Sequence, residues 1–211
     1  MAAAMDYLRD PREITRRSFD IVRRETDLSR LPDSIAEIAV RLVHACGMPD
    51  IVPDLAWAGD PATAGRAALG AGAPIIADCR MVAEGVTRSR LPSDNAVRVP
   101  LEDSSVPVLA KDLNTTRSAA AVELWRDGLE GAVVAIGNAP TALFRLLELL
   151  AEGAARPSVI LGFPVGFVGA AESKEALIEA CLDVPYLTLR GRRGGSAIAA
   201  AAVNALARPG P

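Results

Sequence analysis

Short runs of apolar residues alternate with longer stretches of helical periodicity along most of this chain. The runs at 132–136 and 158–163 are apolar at nearly every successive position, a pattern typical of parallel strands that helices cover on both faces. Strands are predicted over residues 51–57, 74–78, 96–101, 132–136, 158–163 and 185–189. Helices are predicted between or after them over residues 61–69, 116–127, 141–151, 171–182 and 197–207.

Two further helices are predicted before the first strand. Asp10 followed by Pro11 is a cap and a first-turn proline, and it predicts a helix over residues 11–25. The apolar spacing that follows predicts a second helix ending at Gly47, so that His44 lies in its last turn. The alternation as a whole predicts an α/β protein: a three-layer α/β/α sandwich with a mainly parallel sheet.

No repeat, low-complexity tract or flexible linker divides the sequence, so a single domain over residues 1–211 is predicted. The net charge of −3 argues against a general nucleic-acid binder, whose footprint would be basic. The longest apolar stretch, 159–171, is interrupted by glycine and proline and is shorter than the roughly 18 residues of a membrane-spanning helix. We therefore expect no nucleic-acid partner and no membrane partner.

The cysteines and the N-terminus bear on the compartment. Cys46, Cys79 and Cys181 lie far apart and lack metal-ligand spacing, so neither a disulfide framework nor a metal site is predicted. The first ten residues show no basic region followed by an apolar core, which a secretory signal would have. A cytoplasmic protein is expected.

His44 is the only histidine in the chain. Histidine is the side chain whose ordinary pKa permits a change of charge between about pH 5 and 8, which makes His44 the simplest candidate for a general acid. The partial negative charge at a helix C-terminus favours its imidazolium form. The alternative is a capping or half-buried histidine with a structural role only, and no second ligand suits a metal.

Several arginines lie where ligands bind to parallel sheets, in loops after the carboxyl ends of strands. Arg190, Arg192 and Arg193 stand among glycines just before a predicted helix, an arrangement that favours anion binding. The alternative is a solvated basic turn. Arg117 opens another predicted helix after a polar loop, and its alternative role is a surface ion pair.

The glycines of the loop 162–169 resemble a dinucleotide-binding turn only in part. The spacing of Gly162, Gly166 and Gly169 is not G-x-G-x-x-G, Pro164 stiffens the loop, and no acidic residue follows about 20 residues later. Close approach of the backbone to a flat ligand explains the glycines equally well. The sequence contains no nucleophile elbow, P-loop or Cys/His metal cluster.

Long motifs in the segments 135–143, 164–174 and 190–196 together resemble the precorrin-8X methylmutase (precorrin isomerase) family of cobalamin biosynthesis. The likeness extends over about residues 5–206. It implies a flavodoxin-like fold, a homodimer, and an isomerisation that moves a methyl group from carbon 11 to carbon 12 of precorrin-8X, giving hydrogenobyrinic acid. Such a reaction adds and removes no atoms, so no cofactor and no metal are expected.

The resemblance also assigns roles to residues. His44 matches the catalytic histidine, which donates a proton or hydrogen bond to a ring nitrogen beside the migrating methyl, and Ser18 and Arg117 match supporting positions. The substrate carries many carboxylates around an apolar macrocycle, so arginines are expected at the rim. Further candidates for contacts with the tetrapyrrole are Thr87, Arg88, Arg90, Asn138, Gly166, Arg190, Arg192 and Arg193.

Two other functions stay open on the sequence. A non-catalytic tetrapyrrole carrier would use the same slot and arginines but would need no acid. A nucleotide-dependent oxidoreductase would use the loop 162–169 for a pyrophosphate. The sequence also leaves open whether the substrate is cobalt-free or cobalt-bearing, with the overall likeness favouring the cobalt-free form.

Overall fold

The computed structural model describes residues 5–207, so both ends of the predicted 1–211 domain lie outside the described residues. Within this part of the chain, six strands form one sheet. The strands are β1 (Leu55–Ala58), β2 (Ile75–Ala77), β3 (Val97–Arg98), β4 (Val133–Ile136), β5 (Val159–Gly162) and β6 (Tyr186–Leu189).

Nine α-helices accompany the sheet within residues 5–207. They are α1 (Pro11–Glu25), α2 (Asp33–Cys46), α3 (Pro61–Gly70), α4 (Arg80–Gly85), α5 (Val106–Asp112), α6 (Arg117–Glu123), α7 (Pro140–Ala151), α8 (Ala170–Glu179) and α9 (Ser196–Ala207). Short 3₁₀ turns add Pro49–Asp54, Arg88–Arg90, Pro100–Glu102 and Arg126–Gly128. None of the described helices has the length and apolar character needed to cross a membrane.

The sheet has the strand order β1-β6-β5-β4-β2-β3. Every neighbouring pair is parallel except β1 and β6, which are antiparallel. Without β1, the five parallel strands follow the flavodoxin-like order, and the order reverses between β2 and β4. The predicted mainly parallel α/β sheet is therefore confirmed, with one antiparallel strand added at its edge.

Two apolar cores cover the two faces of this sheet. Alternate residues of a strand point to opposite faces, so Val133 and Ala135 join one core while Val134 and Ile136 join the other. The first core also contains buried residues of α1, α2, α3, α4 and α9, and the second contains those of α6, α7 and α8. The three predicted layers are present, and α2 and α9 share the first face.

Prolines account for two of the differences from the predicted elements. The predicted strand 51–57 is wrong in its first half, because the chain from Pro49 to Asp54 forms a 3₁₀ turn and β1 begins at Leu55. Pro53 has no N–H to give to a strand ladder. The predicted strand 96–101 is likewise reduced to β3, since a turn begins at Pro100.

The predicted helices also need correction. The helix expected over residues 116–127 ends at Glu123, and a separate 3₁₀ turn follows it. Two helices, α4 and α5, lie where no helix was predicted. Both unpredicted helices are at most seven residues long, which is too short for apolar periodicity to identify.

Candidate active site

His44 lies in the last turn of α2, as predicted. The helix ends because Gly47 adopts the left-handed conformation, with φ of 69°, and its N–H donates to the Val43 carbonyl. Glycine adopts this conformation readily because it has no Cβ. The chain then reaches β1, whose first residue Leu55 pairs with Leu189 at the end of β6. His44 is therefore exposed at the carboxyl edge of the parallel strands, where ligands of such sheets bind.

Ser18 on α1 holds the imidazole of His44. The Ser18 Oγ lies 2.7 Å from His44 Nδ1, and the ring of Phe19 meets the imidazole edge-on at a centroid distance of 5.2 Å. When the hydroxyl donates to Nδ1, the neutral ring carries its proton on Nε2. In the imidazolium form, Nδ1–H donates to the hydroxyl and Nε2 is also protonated. In both of these states Nε2–H can donate to a ligand.

Two clefts meet at His44. The first, of about 400 Å³, lies between α1 and the end of α2. Its lining is mostly apolar and comprises Leu8, Ile14, Arg17, Ser18, Ile21, Val22, Glu25, Val43, His44, Gly47 and Pro49. The second, of about 330 Å³, has a floor of small residues and a polar wall. Its lining comprises Arg41, His44, Ala45, Gly85, Thr87, Arg90, Ala197, Ala200, Ala201 and Asn204.

This pair of clefts suits a ligand with a flat apolar body and anionic substituents. Small-molecule sites are mostly apolar, with a few polar groups that fix orientation. Here the apolar surface lies on one side of the imidazole, and two guanidinium groups line the cleft on its other side. A ligand that occupied both clefts would lie against His44.

Asn204 on α9 positions the wall of the second cleft. Its side-chain oxygen accepts from the backbone N–H of Thr87 at 2.8 Å, and its amide nitrogen donates to the Gly85 carbonyl at 2.9 Å. A Cβ on Gly85 would lie 2.6 Å from the Ala200 Cβ, so this close approach requires glycine. Sequence reasoning missed Asn204, although a single amide in the alanine-rich second half of α9 was a usable signal.

Arg41 and Arg90 line the second cleft together with His44. Arg41 lies three residues before His44 on α2, so the two side chains share a helix face. Its guanidinium lies over the Phe19 ring, 5.3 Å from the centroid. Burial, and after it the positive charge of Arg90, lowers the pKa of Arg41. Arg41 was not identified from the sequence, although its spacing from His44 was visible there.

Two of the three arginines after β6 are engaged by acidic side chains of the protein itself. Arg190 forms an ion pair with Glu175. Arg193 donates to Asp50 Oδ2 at 2.5 Å and to Asp54 Oδ2 at 2.7 Å, and these bonds raise its pKa, Asp54 having the larger effect. Arg190 and Arg193, which were predicted at the rim of the site, therefore already bind carboxylates of the protein.

Arg192 and the loop around Gly166 have a different environment. The Arg192 guanidinium lies 5.4 Å from the centroid of the Phe167 ring, and no acidic side chain among residues 5–207 forms a salt bridge with it. The Gly166 N–H donates to the Arg192 carbonyl at 3.2 Å. Phe167 and Val168 are 82% and 89% exposed, so this loop presents an apolar surface beside one unpaired cation.

Lys174 stabilises the loop after β6 through a buried hydrogen bond. Its side chain is fully buried, and its ammonium donates to the Arg193 carbonyl at 2.6 Å. Burial lowers the pKa of Lys174 to about 8, because a charged amine loses its hydration there. The loop that carries Arg192 and Arg193 is thus held by both a side-chain ion pair and a buried amine.

Asn138 lies at the point where the strand order reverses, after β4. The backbone N–H groups of Gly137, Asn138 and Ala139 all donate to the carboxylate of Asp78, at 2.8–2.9 Å. Successive N–H groups at a helix start form an anion site, and here the protein's own carboxylate occupies it. Burial raises the pKa of Asp78 and these bonds oppose the rise. The arrangement does not favour a nucleotide phosphate at this position.

The structure does not bring every predicted site residue to His44 within one chain. Arg117 begins α6, which packs on the opposite face of the sheet from α2. Arg88 is exposed in its turn and lines neither cleft. Of the predicted partners, Ser18, Thr87 and Arg90 share a cleft with His44. Among residues 5–207, no group of three or more His, Cys, Asp or Glu side chains is arranged to hold a metal.

Comparison with known proteins decides the family. The family model for precorrin-8X methylmutase matches residues 13–209. The chain belongs to the precorrin-8X methylmutase family. A protein of Pseudomonas aeruginosa named precorrin-8X methylmutase is 60% identical over 203 residues, which are 96% of this chain and 98% of that protein. The resemblance inferred from the sequence is thereby confirmed.

Other relatives extend the comparison. A cobalt-precorrin-8 methylmutase of Priestia megaterium is 37% identical over 197 residues, covering 93% of this chain and 87% of that protein. The crystal structure of a precorrin-8X methylmutase from Thermus thermophilus superposes with a TM-score of 0.84 at 37% identity, covering 93% of this chain and 94% of that chain. The fold described above is thus the fold of a solved member of the precorrin-8X methylmutase family.

Proposed function

We propose that this chain converts precorrin-8X into hydrogenobyrinic acid by moving one methyl group from ring carbon 11 to ring carbon 12. One carbon–carbon bond breaks and another forms, so substrate and product contain the same atoms and no methyl donor or electron carrier takes part. The enzyme class is that of an intramolecular transferase, in agreement with the family. The observation that carries the proposal is an exposed, hydrogen-bonded His44 between an apolar cleft and a cationic one.

His44 acts on the transition state of this shift. Its Nε2–H donates a hydrogen bond to the ring nitrogen beside the migrating methyl and draws electron density toward that nitrogen. The interaction accelerates the reaction because it strengthens only as charge develops during migration. Ser18 orients the imidazole through Nδ1, and Thr87 borders the same cleft.

The decisive experiment mixes the purified protein with precorrin-8X and follows the visible spectrum, since substrate and product differ in conjugation. Conversion by the parent protein and loss of conversion in His44→Asn are the expected results. A protein that binds the tetrapyrrole without converting it would be a carrier. Red-shifted fluorescence of added reduced nicotinamide cofactor, without conversion, would instead support an oxidoreductase.

The cobalt-free tetrapyrrole is the proposed natural substrate. The relative named for precorrin-8X shares 60% of its residues with this chain, whereas the relative named for cobalt-precorrin-8 shares 37%. Turnover of cobalt-free and cobalt-bearing substrates at equal concentration tests this choice. A higher kcat/KM for the cobalt-bearing form would contradict it.

We also propose a homodimer in which Arg117 of one copy supports His44 of the other. The support is that one chain holds these residues on opposite faces of its sheet, whereas the resemblance of the sequence motifs implies that both belong to one active site. Mixing His44→Asn and Arg117→Gln proteins should restore about a quarter of parental activity, because half of the dimers regain one native site. Activity no greater than the sum of the two variants would contradict sharing.

The remaining assignments are a single methylmutase domain over residues 1–211 and a cytoplasmic location. Cys46, Cys79 and Cys181 are all free thiols, as is usual in a reducing compartment. No nucleic-acid or membrane partner is proposed. Cell fractionation tests the location, and recovery of activity in the membrane fraction would contradict it.

A further inference from the structure

The last turn of α2, which carries His44, is exposed. Val43 is the last buried residue of this helix, and both His44 and Ala45 lie at the surface. Helix ends fray because their last carbonyl groups lack partners within the helix. The contacts that the chain makes after Gly47 therefore help to decide where the imidazole lies.

The loop after β6 binds the 3₁₀ turn Pro49–Asp54, which follows α2. The Arg193 guanidinium donates to Asp50 Oδ2 at 2.5 Å, to the Asp50 carbonyl at 3.1 Å and to Asp54 Oδ2 at 2.7 Å. The backbone N–H of Arg190 donates to the Asp54 carbonyl at 2.8 Å. One loop thus binds this turn near its start and at its last residue.

The backbone of Arg193 is itself held in place. The buried ammonium of Lys174 donates to the Arg193 carbonyl at 2.6 Å, and the Gly195 N–H donates to the Phe163 carbonyl at 2.8 Å. A Cβ on Gly194 would overlap the Phe163 carbonyl oxygen, so this contact between the loops after β5 and β6 requires glycine. The guanidinium therefore extends from a backbone that other elements fix.

We propose that Arg193 is a positioning residue for His44. It acts through Asp50 and Asp54, whose ion pairs hold the turn after α2, and with it the end of the helix, against the loop after β6. This inference rests on the proposed function. Pro49 of the same turn lines the first cleft together with His44, so a shift of the turn moves the cleft wall and the imidazole together. Catalytic groups need such support because small displacements cost much of the rate.

The alternative role for Arg193 is a direct contact with a carboxylate of the tetrapyrrole. A direct contact contributes to the binding of substrate and product, so its loss raises KM and weakens product binding. A positioning residue acts on the orientation of His44, so its loss lowers kcat. Because the positioning role depends on the two aspartates, removing their carboxylates should have the same effect as removing the guanidinium.

The experiment combines kinetics with a spectroscopic signal of the imidazole. His44 is the only histidine in the chain, so in protein purified without a histidine tag the NMR signals of labelled histidine report this ring alone. The spectra need no ligand. For each variant, kcat and KM for precorrin-8X are measured, and hydrogenobyrinic acid is titrated to obtain the affinity for the product.

Three variants test the proposed route, and one serves as the matched control. They are Arg193→Met, the double variant Asp50→Ala/Asp54→Ala, and the triple variant that combines them. The control is Arg156→Met, because Arg156 also pairs with an aspartate, Asp183, at 3.1 Å. These two residues precede β5 and β6 and so lie at the edge of the parallel strands opposite to His44. Circular dichroism checks that each variant is folded.

We expect Arg193→Met to lower kcat by about tenfold and to shift or broaden the imidazole signals. KM and the affinity for the product should stay within about twofold of the parental values. The double variant should behave in the same way, and adding Arg193→Met to it should lower kcat by less than about a further twofold. Arg156→Met should match the parent in every measurement.

Three outcomes would overturn the positioning role. They are parental kcat and imidazole signals in Arg193→Met, weaker product binding with unchanged kcat, and losses in kcat that multiply in the triple variant. If Arg193→Met unfolds, the double variant decides alone, because it removes the same ion pairs. A parent protein that does not convert precorrin-8X would contradict the proposed function, whereas the NMR comparison would still test whether Arg193 positions His44.

Discussion

The second cleft and the loop after β6 both contain arginines, and the surroundings of these arginines differ between the two regions. In the loop, Arg190 and Arg193 bind carboxylates that the protein itself supplies. Arg41 and Arg90 line the second cleft, which has a volume of about 330 Å³ and also contains His44. Two of the three guanidinium groups of the loop thus bind carboxylates of the protein, whereas those of the cleft lie beside the proposed acid.

The difference shows that arginine spacing in a sequence identifies cations but not their partners. Asp50 lies 143 positions away from Arg193 in the chain, and only folding brings their side chains together. A guanidinium that already binds two carboxylates of its own protein chiefly stabilises the fold. Four predictions test this comparison.

The largest expected effect is on catalysis, at the cleft. His44→Asn should reduce turnover by about 10² to 10⁴, the usual contribution of a general acid, while binding of hydrogenobyrinic acid changes little. The measurement pairs steady-state turnover of precorrin-8X with a titration of the product. If the variant kept parental turnover, His44 would have no part in the mechanism. The second cleft would then not differ from the loop after β6 by containing a catalytic group.

The next effect concerns the buried amine of Lys174, which binds the loop after β6. Lys174 loses its proton near pH 8 in the folded chain and near pH 10.5 when exposed to water. Between these values the unfolded chain binds more protons, so the free energy of unfolding should rise with pH relative to Lys174→Met. We expect a relative gain of about 1 to 3 kcal/mol from pH 7 to pH 10.

Urea unfolding of both proteins at the two pH values measures this gain. The other titratable groups are the same in both proteins, so the difference between the proteins isolates Lys174. A difference that does not change with pH would mean that the amine is hydrated in the folded chain, and the loop would then be less firmly held than described.

A third prediction separates the arginines within the loop. Arg193→Met should lower the free energy of unfolding by about 1 to 2 kcal/mol, because it leaves Asp50 and Asp54 without their shared partner. Arg192→Met should change it by less than about 0.5 kcal/mol, since its guanidinium only lies over an exposed ring. Equal losses in urea unfolding would contradict the distinction between structural and ligand-facing arginines.

The smallest effect is expected at Ser18. Removing its hydroxyl in Ser18→Ala deletes one hydrogen bond to Nδ1 and should lower kcat by up to about tenfold, with KM nearly unchanged. Ser29→Ala is a suitable control, because that hydroxyl bonds only to Asp27 at the surface. A loss in KM alone would indicate that Ser18 contacts the ligand and does not orient the imidazole.

Much of the fold could be predicted from the sequence because its determinants are local. Successive apolar residues identified the buried strands β4 and β5, and the cap of Asp10 with Pro11 marked the start of α1. The position of His44 in the last turn of α2 followed from the apolar spacing of that helix and from its stop at Gly47 and Pro49. Elements that depend on few residues, such as α4 and β3, were missed or overextended because short segments carry little periodic signal.

The sequence by itself determined the layers, the family motifs and the one histidine at a helix end. Only the tertiary structure decided which side chains each functional residue contacts. Ser18 is 26 positions from His44, and Arg117 lies across the sheet from the histidine that its motif accompanies. Periodicity reports which face of an element is buried, but partners across elements depend on how helices and strands pack together. That packing places Arg41 and Arg90 beside His44 and brings Arg190 and Arg193 to carboxylates of other elements.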